Sequence, residues 1–513
     1  MQRTRSDRSI FGTGVQRICA VAAASTAREI VQQVRAGVRQ TPTVELRLDW
    51  LRNDTERARL LAWVKRKKGA GINFIATCRR KEGGGRFGGG VDAELYWLAA
   101  SRDAGCSWCD LEIETLRRLR GRPVRELGLP QRIMLSVHDF DGMPALQSNL
   151  DVAAAHCVDS AKIAANARTI ADSSRLLELA RRARNFVAAP MGEVGLPARI
   201  LALREGSALA YAPVATATAP GQVSLHEMIN LYRAHELTRR TAVYGVIGKP
   251  VSHSLSPLFH NTGFVATKVD AVYLPFLVED LRDFLKAVPE MGVRGFSVTI
   301  PHKQTILRFL HHCDSLAAEI GAVNTVEIRR DGSLAGSNTD YIGILRALES
   351  KIGLQGSRVL LFGAGGAARA AAFVLAHVGA HVAICARRER AAKDLARAVG
   401  GEAIPRRVLS STSFDAIINA TPVGMHPLDR VSPLSTRELN CRVVMDLINR
   451  PQKTQLLRIA ASRGIATIPG IKMFFEQGSA QWELWTRQRA PKSAMERAVL
   501  RFLRAEENSR QRH

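Results

Sequence analysis

Eight short runs rich in apolar residues recur between residues 14 and 225, and helix-length stretches separate most of them. They read RICAVAAAS, TVELRLDWL, INFIATCR, WCDLEIE, RIMLSVHDF, SAKIAANA, NFVAAPMG and ALAYAPV, with RTIADSSRLLELARRAR as one of the intervening helical stretches. Strands joined by helical crossovers pair in parallel. Eight of them predict a (β/α)8 barrel over residues 14–225. In such a barrel chemistry collects at the C-terminal strand ends. The informative polar residues fall late in these runs: Glu45 and Arg47, Arg79, His138 and Lys162.

The rest of the chain has a different rhythm. HEMINLYRAHELTRR, residues 226–240, reads as a helical connector. Strand–helix alternation restarts at TAVYGVIGKP and runs to about residue 342, predicting a domain over 241–342 that a C-terminal helical region around 475–500 completes. Within it, Phe296-Ser297-Val298-Thr299-Ile300 reads as a strand stopped by Pro301, with His302 and Lys303 presented at its tip. Then SRVLLFGAGGAARAAAFVLAHVGAHVAICAR gives an apolar strand, a glycine turn, an Ala-rich helix and a second strand. That order opens a dinucleotide-binding domain of Rossmann type, expected over 350–470. The chain is therefore expected to be α/β throughout.

Composition narrows the function classes. At 513 residues the chain exceeds one core, and no apolar run reaches the roughly 18 residues needed to span a bilayer. MQRTRSDRSIFGTG is basic but lacks the apolar core of a signal peptide, so it reads as a short arm and the chain as cytoplasmic. The tail EENSRQRH is expected to fray. Net charge is +26, but the arginines are spread along the chain and no nucleic-acid-binding motif accompanies them. The basic field is read as attraction for small anionic substrates, with no nucleic acid or membrane as partner. The eight cysteines are scattered, and Cys106 and Cys109 have no second pair to complete a zinc site, so no metal is expected.

In the first half, Lys162 lies within a strand among apolar neighbours, where burial favours the neutral amine that attacks a carbonyl. His138 ends the preceding strand and puts a general base at the same barrel mouth. With VELRLD, TCRRKEGGG, SVHDF, AKIA, PARI and TAPGQ, nearly all of residues 14–225 resembles the type I 3-dehydroquinate dehydratases. The resemblance implies an imine on Lys162, proton transfer by His138, and a carboxylate held by Arg199. It assigns Glu45, Arg47, Arg79, Thr218 and Gln222 to hydroxyl binding or to ordering the site. The family usually has Ser where Thr218 stands. Its histidine-orienting glutamate follows the arginine by four residues, whereas here Glu82 follows Arg79 by three and Gly83 takes the aligned slot. The stretch GGGRFGGG reads either as a lid over substrate or as a surface loop.

In the second half, YGVIGKPVSHSLSPLFHN, GFSVTIPHK, GAVNT, SNTDYIG, GAGGAAR, NATPVGM and PGIKMFFEQG occur in that order. Over about residues 241–490 the chain is similar to shikimate dehydrogenase. The resemblance implies a catalytic pair, Lys303 and Asp340, and substrate contacts from Ser254, Ser256, Thr299, Asn324, Asp340, Asn449 and Gln477. By itself SNTD would allow Asp340 to be a turn cap. Gly363, Gly365 and Gly366 let the backbone approach a pyrophosphate at a helix N-terminus. The resemblance adds Ala364, Ala367, Thr421 and Gly470 to the cofactor set. The second strand ends in Arg387 and Arg388 with no acid for a free ribose hydroxyl, so NADP is expected over NAD. Ser297 stands for a common Asn and Asn449 for a frequent Tyr, departures that could widen substrate choice toward quinate. Together the halves imply a two-step enzyme that dehydrates 3-dehydroquinate and reduces 3-dehydroshikimate with NADPH. A catabolic quinate/shikimate dehydrogenase fused to a dehydratase, or a protein that keeps the folds with a weakened dehydratase site, are the rival readings.

Overall fold

The computed structural model describes residues 9–119, 121–215 and 221–510. The chain divides into two compact units. One holds Met1–Val243, Pro250–Pro257 and Asp270–Val293; the other holds Tyr244–Lys249, Leu258–Val269 and Arg294–His513.

All eight strands expected in the first half form: β1 Ile18–Ala22, β2 Thr43–Arg47, β3 Asn73–Thr77, β4 Trp108–Glu112, β5 Arg132–Asp139, β6 Ser160–Asn166, β7 Phe186–Met191 and β8 Ala210–Pro213. They are hydrogen-bonded in the order β7-β6-β5-β4-β3-β2-β1-β8. At the seam Ala208 N–H donates to Phe186 O at 2.7 Å, which brings the two ends of the sheet together. The strands are buried on both faces, as parallel strands under helices are. The strand register decides which polar side chains meet. Glu112 pairs with Ser136, and Ser136 with Lys162. Side chains alternate along a strand, so Asp110 and Glu112, Ser136 and His138, and Lys162 share the inner face. Below them, Cys19, Val21, Ile75, Met134 and Val187 fill the interior, and Phe11 stacks on Trp108 at 4.3 Å. An apolar floor thus carries a charged upper layer.

The connector departs from expectation. Winding ends at Leu231, with π-type hydrogen bonding over Glu227–Leu231, and residues 232–240 form no helix. Arg233 takes a left-handed φ of +50°, which a helix cannot continue through. The first unit also takes in the helix Leu281–Met291, which sequence placed in the second half. Asp283 Oδ2 accepts from Ile170 N–H at 2.8 Å, and Arg204 Nη1 donates to Met291 O at 2.9 Å. A carboxylate at one helix N-terminus and a guanidinium at another's C-terminus are the complements of the two helix dipoles.

The remaining strands are β9 Ala242–Gly248, β10 Ala271–Leu277, β11 Val293–Val298, β12 His312–Cys313, β13 Thr325–Ile328, β14 Leu334–Ser337, β15 Arg358–Phe362, β16 His381–Cys385, β17 Glu402–Ala403, β18 Phe414–Asn419, β19 Cys441–Asp446 and β20 Ala466–Ile468. One sheet of the second unit runs β9-β11-β13-β14-β12, with β13 antiparallel to both neighbours. β11 stops at Val298, two residues before the expected tip. Thr299 N–H turns to Ile247 O, and Ile300 O accepts from Lys249 N–H. The other sheet is parallel, in the order β17-β16-β15-β18-β19-β20. The order reverses between β15 and β18, the switch point outside which α/β sheets bind ligands. The C-terminal helix Lys492–Arg510 runs into the tail expected to fray. Among the described residues, no helix is long and apolar enough to cross a membrane.

Candidate active sites

At the barrel mouth, one pocket is lined by Glu45, Arg47, Arg79, His138, Lys162, Arg199 and Gln222, together with Gly84, Phe140 and Tyr211. Every dehydratase residue expected from sequence is there except Thr218, which lies outside the described residues. Lys162 is 4% exposed, but its surroundings are not simply apolar. Its Nζ pairs with Asp110 Oδ2 and stands 4.8 Å from the centre of the Tyr211 ring. Asp110 also accepts from Ser136 Oγ at 2.5 Å and lies 3.6 Å from Arg79 Nη2. Burial disfavours its charge, yet Lys162 and Arg79 hold its carboxyl below the usual range.

His138 Nδ1 lies 3.1 Å from Glu112 Oε2. Glu112 Oε1 in turn accepts from Arg79 Nε at 2.5 Å, and Ser136 Oγ stands 3.2 Å from it. Burial, reinforced by Arg79, pushes His138 down to about 4, against the pull of Glu112. The imidazole is therefore neutral near pH 7 and able to take a proton. Glu112 and Asp110 were not singled out from sequence. Glu82 is 58% exposed and bonds Arg80 and Arg118 instead.

Arg199 is 4% exposed, and burial draws its guanidinium down to about 10. Nη2 donates to Pro190 O at 2.7 Å, while Nε is buried with no hydrogen-bond partner among the described residues. An unspent donor on a buried cation facing a pocket suits an incoming carboxylate. Arg47 is held by Asp49 at 2.9 and 2.8 Å, and Glu45 accepts from Thr77 Oγ1 at 2.7 Å. The GGGRFGGG stretch folds back on its own base, with Phe87 N–H donating to Arg79 O and Gly85 N–H to Arg80 O. Gly84, at φ +77°, sits so close to Phe140 that a Cβ there would reach the ring at 2.3 Å. That ring lies 6.3 Å from His138, nearly parallel to it.

In the second unit, Lys303 Nζ donates to Asp340 Oδ2 at 2.6 Å, and Asn324 Nδ2 donates to Asp340 Oδ1 at 2.8 Å. The capping role that SNTD left open belongs to Asn338, whose Oδ1 accepts from Asp340 N–H at 3.0 Å. The Asp340 side chain is thereby left to Lys303. Asp340 rides on the helix Thr339–Glu349 and Gln477 on the helix Gly470–Thr486. These helices approach so closely that a Cβ on Gly343 would meet Met473 O at 2.7 Å. Gln477 Oε1 lies 3.5 Å from Thr339 Oγ1. Ser297 donates to Gln481 Oε1 at 2.9 Å, an inward bond. Thr299 is half-buried and Asn449 exposed. In the first unit, Ser254 Oγ accepts from Ser256 N–H at 3.2 Å.

The glycine turn fits a dinucleotide phosphate. Gly363 takes φ +124°, with its N–H bonded to Cys385 O at 2.9 Å. A Cβ on Gly365 or Gly366 would meet nothing within 4 Å, so open space lies over the first turn of the helix Gly366–His377. Ala364 is half-buried and Ala367 exposed. Arg387 and Arg388 are exposed beyond the end of β16. Thr421 Oγ1 donates to Asn419 Oδ1 at 2.7 Å. Gly470 is required by packing, since a Cβ there would lie 2.4 Å from Ile448 O.

Family models match both halves of the chain. The family model for type I 3-dehydroquinase matches residues 18–239, that for the shikimate dehydrogenase substrate binding domain 246–326, and that for the shikimate 5'-dehydrogenase C-terminal domain 470–500. A bifunctional 3-dehydroquinate dehydratase/shikimate dehydrogenase of Arabidopsis thaliana, described as chloroplastic, is 33% identical over 511 residues, covering 93% of this chain and 83% of its own. An NADP(+) shikimate dehydrogenase of Methanothermobacter thermautotrophicus is 42% identical over 280 residues, covering 52% of this chain and 99% of its own. A shikimate 5-dehydrogenase of Thermus thermophilus, solved with NADP(H) and shikimate, is 34% identical, with TM-score 0.47, over 51% of this chain and 99% of its own.

Proposed function

The chain belongs to the family of bifunctional 3-dehydroquinate dehydratase/shikimate dehydrogenases, and we propose that it performs the two reactions in sequence with the side chains described above. Residues 14–225 are assigned the dehydration. Residues 241–342, with 475–500, are assigned the hydroxy-acid substrate, and 350–470 the cofactor.

The Lys162 amine adds to the substrate ketone and water leaves, giving an imine. Neutral His138 removes the proton from the adjacent carbon, and the C–H electron pair becomes a C=C bond as the C=N pair moves onto nitrogen. The resulting enamine expels the neighbouring hydroxyl, which takes the proton from His138 and departs as water. Hydrolysis of the imine frees the amine and the product. Arg199 supplies its buried Nε–H to the carboxylate, while Glu45, Arg47, Arg79, Thr218 and Gln222 bind or order the hydroxyls. The observation that carries this reading is one pocket joining Lys162, His138 and a buried Arg199 with an open donor.

For the second step, NADPH when bound supplies a hydride. Gly363, Ala364, Gly365, Gly366 and Ala367 would hold its phosphates, Arg387 and Arg388 its 2′-phosphate, and Thr421 and Gly470 the rest. The Lys303 ammonium delivers a proton to the carbonyl oxygen as it becomes a hydroxyl, held in place by Asp340. Ser254, Ser256, Thr299, Asn324, Asn449 and Gln477 are assigned to substrate recognition.

Purified protein given 3-dehydroquinate and NADPH will consume NADPH, followed at the nicotinamide absorbance band. No consumption with either 3-dehydroquinate or 3-dehydroshikimate would overturn the reading. The cofactor assignment has its own test. A charge-assisted arginine–phosphate contact contributes about 1.5–3 kcal/mol, so KM for NADPH should lie about tenfold or more below that for NADH. A clear preference for NADH would remove Arg387 and Arg388 from the site.

A further inference from the structure

We infer that Glu112 is the positioning residue for His138, supplying from a barrel strand the carboxylate that the Arg79–Gly85 loop lacks. The inference rests on the dehydratase reading of the barrel. Three observations carry it.

First, both oxygens of Glu112 are committed. Oε2 meets His138 Nδ1 at 3.1 Å, and Oε1 accepts from Arg79 Nε, with Ser136 Oγ 3.2 Å away. A carboxylate held at one oxygen by a buried guanidinium is kept from swinging, so the other oxygen is a fixed acceptor. The strand pairing fixes it further, because Glu112 lies beside Ser136 in the β4–β5 register, two residues before His138 on the same face. Second, the loop has no acid that reaches the ring. Glu82 bonds Arg80 and Arg118, and its side chain is 58% exposed. Third, Gly83 opens onto this spot. A Cβ there would lie 3.1 Å from Glu112 Oε2 and 3.5 Å from Arg79 Cγ. A loop side chain and the Glu112 carboxylate would compete for one place, and here glycine leaves it to Glu112.

The consequence is a defined tautomer. An acceptor at Nδ1 keeps the proton there and leaves Nε2 with the lone pair that abstracts a proton. When the ring becomes imidazolium, Glu112 offsets the new charge. The other charged groups near it are Arg79, Lys162 and Asp110, and the two cations oppose protonation.

The test is Glu112→Gln, which keeps the shape and removes the charge. We expect dehydratase kcat to fall at least about tenfold, with KM changing far less, and the acidic limb of the rate profile to move to lower pH. Borohydride with 3-dehydroquinate should still trap an adduct on the variant, because Lys162 is untouched. An unchanged kcat and an unmoved acidic limb, with trapping intact, would overturn the inference. Absence of an adduct on the unaltered protein would instead sink the dehydratase reading beneath it. A measurement on the unaltered protein keeps the question open to refutation if the variant does not fold. In 15N spectra of histidine-labelled protein, the signal missing from His138→Asn should report an Nδ1–H ring; an Nε2–H ring would overturn the assignment.

Discussion

Lys162→Ala should abolish dehydration, lowering its rate by about four to six orders of magnitude, the scale seen when a covalent nucleophile is removed. Among the described residues lining the barrel mouth, no other side chain can take over as imine donor, since the remaining cations there, Arg47, Arg79 and Arg199, are guanidinium groups. Borohydride with 3-dehydroquinate should then leave no adduct on the variant. The change also has a structural cost. Asp110 loses its main partner inside the barrel, and breaking a buried ion pair costs about 3–5 kcal/mol. Ser136 and Arg79 still face that carboxylate, which limits the loss. Loss of activity must therefore be separated from unfolding. NADPH-dependent reduction of 3-dehydroshikimate supplies that control, because Lys303 and Asp340 belong to the other unit. Reduction at the unaltered rate with dehydration absent assigns the imine to Lys162. An adduct trapped on Lys162→Ala would remove it from the chemistry.

Why Lys162 was legible in the sequence and Asp110 was not is a matter of what a strand conceals. Lysine among alanines in SAKIAANA is conspicuous, since an unpaired charge there would be costly. WCDLEIE reads as a strand, and none of its three acids stood out as a site residue. Their spacing was the available signal. Asp110 and Glu112 are two apart, so both face the interior, where an acid requires a cation within reach. The strand ends carrying Arg79 and Lys162 provide those cations, but pairing across strands has no local signature. The same limit applies to Glu82. The family resemblance looks for a glutamate four residues after Arg79 and finds Glu82 one residue short of that slot, whereas the parallel register brings in Glu112, which is 26 residues away from His138 in the chain.

The fold divides along similar lines. The barrel strands and the glycine turn at Gly363 were legible because alternation and turn chemistry are local properties. The connector failed because HEMINLYRAHELTRR has helical composition but its Arg233 adopts a left-handed φ. The inclusion of the helix Leu281–Met291 in the first unit depends on Asp283 and Arg204, exposed-looking charges in sequence that find backbone partners over 80 residues away. Nothing near either residue announces that.

Lys303→Ala should lower the reduction of 3-dehydroshikimate by about 10²- to 10⁴-fold, the usual contribution of a positioned general acid. The effect should fall on kcat more than on KM, because the proton is needed only as the carbonyl oxygen gains charge. In the coupled assay this variant should still form 3-dehydroshikimate, which accumulates while NADPH persists. Asp340→Asn should give a smaller loss. The amide keeps the size of the side chain, and Asn338 continues to cap the helix, so the fold is not at issue. What is lost is the charge that holds Lys303 at 2.6 Å, and with it the alignment of its proton. Asn324 sharpens the comparison. Its Nδ2 donates to Asp340 Oδ1, and its Oδ1 accepts from Thr339 N–H at 2.7 Å, so it fixes the carboxylate from the side away from the lysine. Asn324→Ala should then lower kcat in the same direction as Asp340→Asn, and the double variant should fall short of the sum of the two, because both act through the position of one ammonium group. Additive losses would mean that Asn324 acts on substrate independently of Asp340. An unchanged kcat in Lys303→Ala would remove the lysine in the turn after β11 from the proton transfer altogether.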